Sequence, residues 1–188
     1  IDISSNNDSL KEIFYTALYH TMIAPNLVSD VNGDYRATDM QVHNDSLANY
    51  TVFSLWDTFR STHPLYNLIE RKKTALFLNT FLNQYQFGGQ LPIWELCANY
   101  TGCMIGYHVV SVILDAYVKS IDFDNYPKLY LAMKEISNRE KLGIPEYKNK
   151  GYISSFQEPE SVSKTLEYAY NDWCIYKMAQ IFNDTSTI

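Results

Sequence analysis

The sequence predicts an all-α fold carrying a small β-hairpin, arranged as about half of an (α/α)6 helical toroid. Three observations point there. About six stretches place apolar residues at helical spacing, and Asn32-Gly33 sits as a turn signal inside an alternating segment. Long connections recur before Leu55, Cys103 and Ser161, as they would if alternate helices opened on one mouth. A full ring of this kind takes about twelve helices, and the chain supplies about six. Its 188 residues, 46% of them hydrophobic, are enough for a packed core.

The elements follow in order. Helix one spans about Leu10 to Ile23, with Ser9 and Glu12 spaced as a capping box and Ile13, Phe14, Ala17, Leu18 and Met22 on one face. Pro25 ends it. Residues 27–43 alternate around Asn32-Gly33 and read as the hairpin. Helix two covers about Leu55 to Ile69, with a break expected near Pro64. Helix three runs from Lys72 to about Gln86 and stops at Gly88-Gly89. Helix four, about Cys103 to Lys119, is apolar nearly all round, so other helices must surround it. Helix five spans about Asn125 to Ser137, a Gly-, Pro- and Tyr-containing loop occupies 139–160, and helix six runs from Ser161 or Ser163 to about Phe182.

Composition narrows the partners. Net charge is −6 and no basic cluster exceeds Arg71-Lys72-Lys73, which argues against nucleic acid, since phosphate binding needs a basic face. No apolar run approaches the ~20 residues of a membrane helix. No basic stretch followed by an apolar one marks a signal peptide, and the opening IDISSNNDS reads as an internal cut of a longer protein. Three cysteines without a C-x-x-C spacing argue against a disulfide framework and against structural zinc. Sixteen Tyr, nine Phe and three Trp in an acidic chain suit carbohydrate contact, although core packing uses many of the rings.

The most informative run is SLWDTFRSTHPLYNLIE, residues 54–70. Ser54 and Asp57 have capping-box spacing, which puts Trp56 and Asp57 in the first turn of a helix. An indole face covers the C–H face of a sugar, and a carboxylate accepts hydrogen bonds from its hydroxyls. First-turn Asp also complements the helix dipole, so spacing alone leaves both roles open. In LPIWEL, Glu95 follows Trp94, and with Asp57 it makes a candidate acid pair on one mouth, where Lys164 would join them. Along SKTLEYAYNDW, Lys164, Tyr168 and Asp172 share a helical face. Asp30-x-Asn32-Gly33-Asp34 fails as a calcium loop, because its Gly comes two positions early and Gln41 stands where a Glu is required.

Taken together, FYTALYHTMIAPNLVSDVNGDYRATD, YTVFSLWDTFRSTHPLYNLIE, GGQLPIWEL, TGCMIGYHVVSVILDAY and VSKTLEYAYNDWCIYKMAQ resemble the catalytic domain of glycoside hydrolase family 92. The resemblance spans nearly all of residues 10–182 in order. It implies bacterial exo-acting α-mannosidases with an N-terminal β-sandwich followed by an (α/α)6 barrel. It also implies calcium-dependent hydrolysis of terminal α-mannosides of N-glycans or mannans with inversion, in a periplasmic, cell-surface or secreted setting. Asp57 matches a family carboxylate of the −1 mannose subsite. Trp56 would line that subsite, while Trp94 and Glu95 match a characteristic run without an assigned role. The family's acid run, Y-T-E-G-N-like, its base run, G-x-D-x-G-Q-M-S-like, and the calcium ligands would all fall beyond Ile188. This segment is therefore expected to be inactive by itself and to depend on the remainder of the parent polypeptide. The rival reading is a non-catalytic helical module that binds glycan or protein. Relatives often read N-E-T where Asn99-Tyr100-Thr101 stands here.

Overall fold

The computed structural model describes residues 1–187. Helices dominate it, joined by two short antiparallel strand pairs and one three-stranded sheet. In chain order the elements are α1 (Asp8–Thr21), β1 (Asn26–Leu27), β2 (Asp34–Arg36), β3 (Val42–Asn44), β4 (Tyr50–Thr51), β5 (Phe53–Ser54), α2 (Leu55–Thr58), α3 (Thr62–Ile69) and α4 (Arg71–Gly88). After them come β6 (Trp94–Leu96), β7 (Asn99–Tyr100), α5 (Val109–Val118), α6 (Tyr126–Ile136), α7 (Ile144–Lys150) and α8 (Ser161–Phe182).

The helix ends show where local chemistry won. Asn7 caps α1, its Oδ1 accepting from the Leu10 N–H at 3.4 Å, so the helix begins before the expected Ser9 cap. The helix expected over 55–69 with a break near Pro64 is broken, a few residues earlier, into α2 and α3, separated at 59–61. Pro64 lies in the first turn of α3, where its missing N–H costs nothing, and its ring disfavours a helix continuing through Arg60. Gly89, at φ 68°, closes α4 with its N–H on the Tyr85 carbonyl at 2.8 Å. The helix expected from Cys103 starts only at Val109, because Gly102, Met104 and Gly106 take φ of 69°, 68° and 77°. The expected loop 139–160 contains α7, bounded by Gly143 and Gly151 in left-handed conformation.

The hairpin forms, but its reversal is not at Asn32-Gly33. β2 pairs with β3, Asp34 opposite Asn44 and Arg36 opposite Val42, and the chain turns through residues 37–41. The Asn-Gly pair serves an earlier turn: Gly33 N–H bonds to the Asp30 carbonyl at 3.0 Å, and the Asn32 side chain accepts from the Asp34 N–H at 3.1 Å. Gly33 sits at φ 89°, and a Cβ there would lie 2.4 Å from the Asp45 carbonyl oxygen. β1 pairs instead with β4, and β5-β6-β7 form a three-stranded antiparallel sheet.

The core sits around α5, which packs against α3, α6 and α8. Val109, Val110, Val112, Ile113 and Ala116 of this helix are at most 2% exposed, which is why its sequence is apolar nearly all round. Phe53, Leu55, Phe77, Phe81, Leu129, Met133 and Met178 complete the centre. α1 buries no residue; Ile13 and Tyr19 are exposed on it, as are Val162, Leu166 and Trp173 on α8. No described helix is long and apolar enough to cross a membrane.

Candidate functional site

Asp57 stands exposed in α2, a helix of four residues. Ser54 does not cap the backbone as expected; its hydroxyl donates to Asp57 Oδ2, carboxylate and hydroxyl joining side chain to side chain. The reason is that Ser54 also belongs to β5, where it lies opposite Trp94. Residues directly opposed in an antiparallel pair point to the same face. The sheet thus places Trp94 on the same face as Ser54, the residue from which α2 starts. Thr101 reinforces Trp94, its N–H and hydroxyl both donating to the Trp94 carbonyl at 3.2 and 2.9 Å.

Trp56 is held at its polar edge. Its indole Nε1 donates to Glu167 Oε1 of α8 at 3.2 Å, and Arg60 Nη2 donates to the same oxygen at 2.9 Å. Glu167 Oε2 lies 3.1 Å from His108 Nε2, short of a well-aligned hydrogen bond. The His108 ring stacks on Phe59 with centroids 4.0 Å apart and planes at 3°. Burial pushes the His108 imidazolium down to about 4, outweighing the attraction of Glu167, so the ring is neutral at pH 7. Its tautomer follows from the backbone. Tyr107 N–H donates to Asn171 Oδ1 at 2.8 Å, which leaves Asn171 Nδ2 to donate to His108 Nδ1 at 3.0 Å. The ring proton is therefore on Nε2, facing Glu167. An open pocket of about 570 Å³ lies beside this cluster, lined by Phe59, Arg60, Ser111, Asp115, Glu167 and Tyr170.

Asp57, Glu95 and Lys164, expected to share one mouth, are separated. Only Asp57 is exposed. Glu95 opposes Phe53, so it points to the face of the sheet opposite Trp94, where it is 3% exposed. Its carboxylate accepts from Thr51 Oγ1 at 2.8 Å, Val52 N–H at 3.2 Å and Ala98 N–H at 2.7 Å, and burial raises its pKa. In this fold it ties the β4–β5 link to the tight turn at Cys97-Ala98. Lys164 is buried against Glu158 at 2.7 Å. It does share a face with Tyr168, which donates to the Leu142 carbonyl at 2.8 Å, and with Asp172, which accepts from the Tyr107 hydroxyl. That face is a structural seam. Glu167, which lies off that face and which the sequence did not single out, is the carboxylate of α8 that reaches Trp56. Its only local signal is a carboxylate within an aromatic-rich helix.

The chain matches the sequence model for the glycosyl hydrolase family 92 catalytic domain over residues 1–188. It is similar to a family GH92 α-mannosidase of Bacteroides thetaiotaomicron, with 41% identity and a TM-score of 0.90 over 95% of this chain and 24% of that one. That enzyme is also solved in complex with mannoimidazole. A family GH92 inverting mannosidase of the same organism aligns at 31% identity and a TM-score of 0.91, over 99% of this chain and 27% of that one. A curated relative, an uncharacterised secreted glycosidase of Arthroderma benhamiae, is 26% identical over 90% of this chain and 20% of its own length. The chain spans about a quarter of the solved relatives and a fifth of the curated one. With the family model matched over its whole length and this likeness to solved members, the chain belongs to glycosyl hydrolase family 92, matching that family's catalytic domain.

Proposed function

We propose that the protein containing this segment is an exo-acting α-mannosidase that hydrolyses terminal α-mannosides of N-glycans or mannans with inversion, and that Asp57 binds the mannose in the −1 subsite. One observation carries the reading: in a chain 31–41% identical to α-mannosidases, Trp56 and Asp57 stand on a short helix that starts from Ser54, the strand partner of Trp94, with Asp57 exposed. A carboxylate there accepts hydrogen bonds from sugar hydroxyls, and the two indoles offer flat apolar surface to the ring.

An inverting glycosidase needs an acid and a base about 6.5–9.5 Å apart with water between them. Buried Glu95, bonded by three donors, supports a structural role, which leaves that pair to the rest of the parent chain. Among the described residues no group of three or more His, Cys, Asp or Glu side chains is placed to hold a metal ion. On this reading the parent's Ca²⁺ is expected at ligands outside these residues. A periplasmic, cell-surface or secreted location is supported by the secreted glycosidase among the relatives.

The test is Asp57→Ala in the full-length protein, assayed on an aryl α-mannoside. A loss of about 100-fold or more in kcat/KM, with an unchanged melting temperature, is expected for a lost charged contact to a bound sugar. Wild-type kcat/KM would remove Asp57 from the subsite.

A further inference from the structure

We propose that Glu167 is a positioning residue for the mannose subsite: from α8 it grips the Trp56 indole and the Arg60 guanidinium together, and so sets the orientation of α2 and of Asp57. The proposal rests on the reading of Asp57 as a mannose contact.

The physical need is clear from the length of α2. A helix of four residues forms a single turn, and a lone turn does not repay its own nucleation. Its internal bonds are the Phe59 N–H to the Leu55 carbonyl at 3.0 Å and the Thr58 hydroxyl to the Ser54 carbonyl at 2.9 Å. Only Leu55 of the four is buried. Something else must stop the turn from rolling about its axis, because a roll would swing Asp57 away from the Trp94 face.

Two anchors on α8 supply the restraint. Trp56 and Arg60 are four residues apart, so they share a side of the turn, and both end on Glu167 Oε1. Between them, Phe59 lies flat on His108, with the Arg60 guanidinium 4.5 Å from the Phe59 ring centre. One turn further along α8, Asn171 holds His108 by its Nδ1 and the Tyr107 backbone by its N–H. Glu167 and Asn171 thereby clamp α2 and the start of α5 to the same helix. A carboxylate suits the place: it takes the indole proton and balances Arg60 at a site with a side-chain exposure of 17%. With its N–H tethered, the indole has one ring orientation to present.

The experiment is a double-mutant cycle in the full-length enzyme, with mannoimidazole affinity by calorimetry and kcat/KM on an aryl α-mannoside as readouts. Glu167→Ala is expected to weaken both about 10- to 100-fold. Trp56→Phe, which keeps a ring and removes the N–H, should also weaken both. The double variant should be no worse than the poorer single one, because both remove the same contact. Glu167→Gln, whose amide oxygen still accepts the indole proton, should recover most of the loss. Multiplying losses would overturn the inference, as would a Glu167→Ala variant that melts earlier but binds mannoimidazole normally. Should Glu167→Ala not fold, Trp56→Phe decides alone, and unchanged affinity refutes the tether. Asp57→Ala separates the two levels. If it abolishes mannoimidazole binding while the tether variants bind normally, only the inference fails; if it binds normally, the subsite reading fails.

Discussion

His63 should make this domain sensitive to mild acid, by an amount the structure sets. The ring is 1% exposed and stacks beside Phe53 at 17° between planes, with Tyr66, Phe77 and Phe81 edge-on around it. Its Nδ1 has no hydrogen-bond partner among the described residues. Burial pulls its pKa from 6.5 to about 4, against a small opposing pull from Asp115. Below 6.5 the unfolded chain takes up a proton that the folded chain refuses, so stability falls as the pH drops towards 4. The gap between 6.5 and about 4, at about 1.4 kcal/mol per pH unit, amounts to about 3 kcal/mol at the acid end. His63→Phe keeps the aromatic packing and removes the titration. Melting curves of both full-length proteins from pH 7.5 to pH 4 are the assay. The variant's advantage should grow by about 6–12 °C for the transition of this domain as the pH falls. A tighter fit of the larger ring shifts the two curves by a constant and leaves the slope alone. Parallel curves would show that His63 is protonated in the folded state and refute the argument.

Other outcomes follow from the same geometry. Glu95→Ala should cost about 3–5 kcal/mol, because the buried N–H groups of Val52 and Ala98 lose their acceptor, and a melting temperature within error of wild type would refute that role. Asp45→Ala frees Asn49, Asn79 and Asn83, all of which donate to Asp45 Oδ2; about 2–4 kcal/mol should be lost, with faster amide exchange confined first to residues 45–50. At Gly106, φ is +77° and an added Cβ would stand 2.5 Å from His108 Nε2. Gly106→Ala should thus cost about 1–2 kcal/mol from backbone strain alone and more from moving His108. Weakened mannoimidazole binding should accompany it, and wild-type affinity would argue that His108 does not support α2.

Much of the secondary structure was legible because its signals are local. α8 runs from Ser161 to Phe182 as its periodicity indicates, and α5 is buried over most of its surface as its largely apolar sequence requires. The misplacements share a cause. Asn32-Gly33 is a strong turn signal, yet its side chain completes a turn one step upstream, and periodicity does not say which of two turns a hairpin uses. The start of α5 was read too early because Gly102 and Gly106 adopt left-handed conformations that composition permits but does not dictate.

The candidate site divides along the same line. Asp57 and Trp56 were readable from sequence, since neighbours in a first turn stay neighbours in any fold that keeps the helix. Glu95 was readable as a residue of interest, but its direction depends on strand register, and pairing with Phe53 turns it inward away from Trp94. Glu167 lies 111 residues from Trp56, so no spacing rule connects them. The sequence by itself determined the helices, the apolar centre and the presence of an indole–carboxylate pair, because those depend on propensity and hydrophobic period. Tertiary structure alone decided which carboxylate faces solvent, which one is buried as a tie, and which one grips the indole. Those outcomes depend on the packing of α8 against α5 and on the register of β5 with β6, contacts between residues that chain order leaves far apart.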